Sequence, residues 1–241
     1  MCASSQEDRP KPEVNTIQAV FFDYGGTLDS PGIAWRQRFY PLYVNAGIKV
    51  SPERFAQAFY AADDSLVAEN PAHMNLSQIV REQVKRVLEH LHAFDKSIHK
   101  KITSQFLSDT FDYIEQISPV LQRIKDSFKT GIISNNYGNL DNICKETGLD
   151  TFMDVLVDSN MIGCMKPKGK IFRAGISALG SEPASSVMVG DSLTRDVMGA
   201  QAAGMVAIWL SPVHEADGLG KGQKDITVIS TLYELPSRVG I

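Results

Sequence analysis

Asp23, Ser134, Lys166, Asp191 and Asp196 are, by type and place, the side chains of this sequence that could move a phosphoryl group. Asp23 ends the apolar run "AVFF", Ser134 ends "GII" and Asp191 follows "SVMVG", while Lys166 and Asp196 lie in "CMKPKGKIF" and "VGDSLTRD". A carboxylate at 23 can attack phosphorus and carry the group as an aspartyl-phosphate. Asp23 and Asp191 offer hard oxygens of the kind Mg²⁺ takes by ones and twos, leaving its other positions to water and substrate. Lys166 brings a mobile point charge and Ser134 a hydroxyl to the phosphoryl oxygens, with Asn135 next to it. Backbone N–H groups from Gly25 through Gly26 to Thr27 would complete an anion-binding nest.

For these groups to meet, the apolar runs must be strands that end at one edge. Runs at 19–22, 131–134, 154–158, 186–191, 206–209 and 226–229 are short, and helical faces separate the later ones. That alternation predicts an α/β fold, an open three-layer parallel sheet with helices on both faces. Ligands of such a sheet bind outside the carboxyl ends of its strands, where the candidate residues fall.

Between the first two runs the pattern is helical for about eighty residues. Trp35, Phe39, Leu42 and Tyr43 share a face, although Pro41 is expected to kink or interrupt it. Ser51-Pro52 opens a second helix with Phe55, Phe59, Ala62 and Leu66 inward. Leu76 to Leu91 forms the cleanest amphipathic stripe, and Ile98, Ile102, Phe106, Phe111 and Ile114 continue the pattern as a fourth helix. Ser118-Pro119 then predicts the cap of a separate short helix. The expected division is a disordered polar tail over 1–16, an α/β core over 17–29 and 116–241, and a helical cap domain over 30–115.

Bulk composition narrows the partners. The 241 residues carry a net charge of -4 with 43% hydrophobic and 22% charged residues, which supplies no basic field for nucleic acid or an anionic membrane. No apolar run approaches the roughly 18 residues that span a bilayer. Cys2, Cys144 and Cys164 form no C-x-x-C pair, so a reducing, cytoplasmic setting is expected, with Cys144 and Cys164 as small buried hydrophobes. His73, His90, His92, His99 and His214 are scattered and read as surface residues, as does Arg195. Apolar stripes on the cap helices suit a monomer and a homodimer equally.

In order and spacing, "DYGGTLD", "IISNN", "KPKGKIF" and "GDSLTRDVMGAQAAGM" resemble the four motifs of the haloacid dehalogenase superfamily of hydrolases. The helical insertion resembles that family's small α-helical cap. The resemblance implies a Mg²⁺-dependent phosphatase acting on a small phosphorylated metabolite. It makes Asp23 the nucleophile, places Ser134 and Lys166 on the transferred group, and puts Mg²⁺ on Asp23, Asp191 and the Gly25 carbonyl. Asp196 becomes a supporting acid, bound to the metal through water or orienting Lys166.

One position departs from the pattern. Phosphatases of the family carry a second Asp two residues after the nucleophile, which protonates the leaving alcohol and later activates water; here that residue is Gly25. Such acid-base help is worth on the order of 10²–10⁴-fold, and its loss matters most for alkoxide leaving groups. Asp29 is a local substitute, although it is expected to cap the next turn. The resemblance also leaves open a dehalogenase, a phosphonate hydrolase with Lys49 as a Schiff-base lysine, and a low-turnover regulatory module that binds phosphate and Mg²⁺.

Overall fold

A computed structural model of the chain describes residues 16–212 and 226–241. The expected tail, apart from Thr16, and His214 lie outside the described residues. The strands are β1 (Ala19–Phe22), β2 (Lys129–Ser134), β3 (Val155–Asp158), β4 (Ser186–Gly190), β5 (Val206–Leu210) and β6 (Thr227–Ile229). They form one parallel sheet in the order β3-β2-β1-β4-β5-β6. Strands covered on both faces read as continuous apolar runs, which is why β1 and β4 are buried at every residue.

The central strand sets the level of the site. Phe22 pairs with Ile132 on one side and Val189 on the other, so Asp23 lies level with Ile133 and Gly190. Ser134 and Asp191 each stand one residue further on. Three of the candidate residues therefore emerge together at the carboxyl edge of the middle strands, where the chain order reverses and crevices form.

Four helices connect β1 to β2: α1 (Trp35–Asn45), α2 (Pro52–Ala68), α3 (Leu76–His90) and α4 (Lys96–Ser127). Ser51 caps α2 by accepting from the Arg54 N–H, and Asn75 with Gln78 forms a capping box on α3. Phe39, Tyr43, Phe55, Leu66, Leu76 and Phe106 are buried among these helices, with Phe39 stacked on Phe106 at 3.9 Å. That apolar cluster is continuous with Val20, Phe22, Ile132 and Val189 on one face of the sheet. Phe21, Ile133, Phe172 and Met188 belong to a second cluster on the other face.

Two prolines do less than their sequence positions predict. Pro41 lies inside α1 without ending it, exposed on the face opposite the buried Phe39 and Tyr43. Pro119 lies inside α4, which runs 32 residues unbroken, so there is no separate short helix and the expected seam at 115/116 falls in mid-helix. A proline deprives the carbonyl four residues back of its N–H partner. Here that carbonyl belongs to Glu115, and the Ser118 hydroxyl donates to it at 2.8 Å. The first half of α4 buries Ile102 and Phe106 and the second half Ile117, Leu121 and Ile124.

The remaining helices are α5 (Leu140–Thr147), α6 (Ser159–Ile162), α7 (Gly169–Leu179), α8 (Met198–Ala202) and α9 (Leu235–Val239), with a π-helical turn at Leu193–Val197 before α8. The inserted helices also bond to α5 and the loop before it. Asn139 and Asn142 donate their amides to the Met74 and Ala72 carbonyls at 3.1 Å, and the Ser77 N–H donates to Glu146 at 2.9 Å. The Tyr137 hydroxyl donates to Asp63 of α2. Cys144 is buried as expected, but Cys164 is partly exposed because it stands in the loop after α6 and not on a helix face.

Candidate active site

Asp23 leaves β1 with 5% of its surface exposed, and its carboxylate accepts the Tyr24 N–H at 2.7 Å. Lys166 reaches it from the loop before α7, with Nζ 2.8 Å from Asp23 Oδ1 and 2.6 Å from Asp196 Oδ1. Asp196 sits in the π-helical turn, fully buried, and its other oxygen accepts the Ser192 N–H at 2.9 Å. Asp191 follows β4, and single carboxylate oxygens of Asp23, Asp191 and Asp196 lie within 4.8 Å of one another. The Thr27 hydroxyl donates to Asp191 Oδ1 at 3.4 Å. Ser134, the last residue of β2, is buried at the same edge.

Charge in this cluster is out of balance. Burial alone would lower the pKa of Lys166, but Asp196 and Asp23 outweigh it and hold the ammonium charged. Burial pushes Asp196 up to about 6, against the pull of Lys166. Asp191 is pushed up to about 8, first by burial and then by repulsion from Asp23 and Asp196. Among the described residues the cluster holds three carboxylates, the Lys166 ammonium contacts two of them, and no lysine or arginine pairs with Asp191. A divalent cation among hard oxygens would supply the missing charge.

The glycine of the loop is demanded by this approach. Gly26 has φ +94, and a Cβ on it would lie 2.5 Å from Asp191 Oδ2. Any side chain at 26 would drive the second carboxylate away from the first.

Three expectations for substrate contacts change. The Gly26 N–H is spent on Asp29 Oδ1 at 2.6 Å and the Thr27 N–H on the Tyr24 carbonyl at 3.2 Å, so neither is free for an anion-binding nest. The Thr27 side chain serves Asp191. Asn135 uses both ends of its amide on the backbone of Lys166, accepting its N–H at 2.7 Å and donating to its carbonyl at 3.2 Å. Its amide thereby positions the loop that carries Lys166. Asp196 orients Lys166 directly, which is one of the two roles expected for it.

Asp29 does not cap a turn. Fully buried, it accepts the Gly26 N–H, the Trp35 indole N–H and Arg38 Nη1, the last at 3.0 Å. Burial raises its pKa, while Arg38 and the two N–H donors favour its charged form. Arg38 extends the link to α4, donating to Thr110 Oγ1 at 2.6 Å and lying 4.0 Å over the Phe106 ring. One carboxylate thus ties the loop after the nucleophile to the first and last cap helices. Removing one partner of a buried pair strands the other, at a cost of about 3–5 kcal/mol. Asp29→Ala is expected to lower unfolding free energy by that amount in urea denaturation; a loss below about 1 kcal/mol would show that Arg38 needs no carboxylate.

Sequence reasoning missed Trp35 and Arg38 as neighbours of the site, reading the first as a core position. Lys49 is exposed between α1 and α2, beside Ser51, Arg54, Leu91 and Ala93, and does not belong to the carboxylate cluster. Arg195 is exposed, as expected, with its Nε on the Ser192 hydroxyl. His73, His90 and His92 are exposed and His99 partly so.

A family model described as "haloacid dehalogenase-like hydrolase" matches residues 17–204. The pyrimidine 5'-nucleotidase YjjG of Escherichia coli is 35% identical over 118 residues, which is 48% of this chain and 52% of that protein, so the chain spans about half of it. The glyceraldehyde 3-phosphate phosphatase of Methanothermobacter thermautotrophicus is 26% identical over 239 residues, covering 91% of this chain and 98% of the relative. Among solved structures, a HAD phosphatase from Thermococcus onnurineus is 28% identical with a TM-score of 0.54, covering 93% of this chain and 98% of that one.

Proposed function

From this chain's membership of the haloacid dehalogenase-like hydrolase family, we propose that it is a Mg²⁺-dependent phosphatase acting on a small phosphorylated metabolite through an aspartyl-phosphate at Asp23. The observation that carries this reading is the meeting of Asp23, Asp191 and Asp196 around the single ammonium of Lys166. The names of the relatives, a nucleotidase and a sugar-phosphate phosphatase, support a small phosphate ester as substrate.

Asp23, Asp191 and the Gly25 carbonyl would hold the cation, and their surplus of negative charge fits it. When bound, the ion draws charge from the phosphoryl oxygens. Asp23 attacks phosphorus while Lys166, fixed by Asn135 and Asp196, faces the oxygens that gain charge. Ser134 adds a hydroxyl from β2. The cap helices cover the carboxyl edge and exclude bulk water during the transfer.

The deciding assay is phosphate release from an activated aryl phosphate with Mg²⁺, and its loss with a chelator. Halide release from a 2-haloacid without metal would instead assign the dehalogenase alternative, and tight phosphate binding without turnover the regulatory one.

Metal should also act on stability. A folded-state pKa raised from 3.8 to about 8 means that metal-free protein binds the Asp191 proton more tightly than the unfolded chain, so stability falls as pH rises through that window. Mg²⁺ favours the charged form and removes the penalty. Thermal melts are therefore expected to show stabilisation by Mg²⁺ that grows with pH over that range; an increment independent of pH would place the ion elsewhere.

A further inference from the structure

Asp23 has the sheet behind it, so in an in-line displacement the leaving group departs towards the cap. The cap side chain nearest the Asp23 loop at Gly25 is Trp35, the first residue of α1. A Cβ built on Gly25 would lie 3.6 Å from Trp35 Nε1 and 3.7 Å from its Cδ1. Both residues are partly exposed, and this indole edge lies against the loop at Gly25. The indole is fixed from three sides: its N–H goes to Asp29, and its ring packs edge-on against Phe39 and Phe106, with centroids at 6.0 and 5.2 Å.

This arrangement holds no proton to give. An indole N–H is a donor only, and this one is spent. The Asp29 carboxylate is sealed beneath the loop by its donors. We propose that Trp35 is a specificity-determining residue that walls the leaving-group side at Gly25, leaves no place there for a proton donor, and so restricts the enzyme to phosphorylated substrates whose leaving group departs as a stabilised anion: aryl and enol phosphate esters and acyl phosphates. The proposal rests on the phosphatase reading and deepens it.

In the first step the bond from phosphorus to the leaving oxygen breaks with its electron pair on that oxygen, as Asp23 forms the new P–O bond. The departing phenolate, enolate or carboxylate needs no proton at that moment; a phenolate or enolate takes one from solvent afterwards. In the second step water forms a bond to phosphorus and the bond to Asp23 breaks, its pair returning to the carboxylate. Dihydrogen phosphate keeps both protons of the water and then loses one to solvent.

The same wall bears on Gly25→Asp. A Cβ there would already be in van der Waals contact with the indole edge, which leaves no room on the Trp35 side for the carboxyl beyond it, so this substitution alone is not expected to create a working acid.

The test is kcat/KM with Mg²⁺ for 4-nitrophenyl phosphate, acetyl phosphate and a primary alkyl phosphate. In the wild-type protein the activated substrates should exceed the alkyl one by at least about 10³-fold. Trp35→Phe should keep that preference, because it keeps the wall. Gly25→Asp with Trp35→Ala should raise the alkyl rate by roughly 10–100-fold over Gly25→Asp alone, while Trp35→Ala alone should leave the aryl-to-alkyl preference in place, a split that general loosening of the fold would not produce. Comparable wild-type rates on alkyl and aryl esters, or a gain from Gly25→Asp alone, would overturn the proposal. The first result would move proton donation to another group. Should none of the three substrates be cleaved at all, the phosphatase reading itself falls and the inference with it.

Discussion

Asp23→Asn is expected to lower kcat on the best phosphate ester by roughly 10⁴-fold or more while leaving the fold intact. An amide is isosteric with the carboxylate but is not a nucleophile towards phosphorus, so the covalent route closes. Little else should change. An asparagine Oδ1 can still accept the Tyr24 N–H that now lies 2.7 Å from Asp23, and Lys166 keeps Asp196 at 2.6 Å. Removing one of three crowded carboxylates also relieves the repulsion that helps push Asp191 up. The check has three parts: phosphate release, acid-stable labelling of the protein by a radiolabelled ester, and a thermal melt. Retention of a few per cent of activity, with label still on the chain, would place the nucleophile elsewhere.

The strands and the carboxylates were legible for a common reason. In a parallel sheet covered on both faces, a run such as "AVFF" or "SVMVG" has no polar alternation, and an acid at its end has only the carboxyl edge to occupy. The sequence pattern thus places Asp23 and Asp191 at that edge, and the register of β1 with β2 and β4 puts them within a residue of one level. Helix boundaries were harder to read. Pro119 looked like a start signal, yet a single Ser118 hydroxyl supplies the bond it removes, and buried residues on both halves of α4 keep the axis continuous.

What the pattern could not show was how donors divide among acceptors. Gly26, Thr27 and Asn135 are of the right types for phosphate contacts, but the loop uses their groups to hold Asp29, Tyr24 and the Lys166 backbone. Whether an N–H is free depends on a neighbour's rotamer, and periodicity carries no information about that. Trp35 and Arg38 are three residues apart on α1, and that spacing was a signal available in the sequence. It says that the two share a face. That the face meets a carboxylate six residues before Trp35 depends on the turn between them.

Lys166→Met is the strongest test of how this site is held together. The substitution keeps volume and removes the one ammonium, whose side chain is 1% exposed, from between carboxylates whose side chains are 8% and 0% exposed. Breaking a buried pair costs about 3–5 kcal/mol because the remaining charge has no solvent to turn to. Asp196 can escape that cost only by taking a proton. Its pKa stands at about 6 even with Lys166 present, so without the lysine it must rise further. The folded variant would then hold a proton that the unfolded chain has released above 3.8, and its stability would fall with increasing pH. The expected result is a small deficit against wild type in acidic buffer and the full deficit in alkaline buffer, with kcat reduced by roughly 10³-fold where the fold survives. Urea denaturation across that pH range reads the first, and ester hydrolysis with Mg²⁺ the second. A deficit that does not depend on pH would mean that Asp196 stays charged without its lysine, and the division of labour described here, in which Asp196 holds Lys166 and Lys166 faces the phosphoryl group, would have to be abandoned.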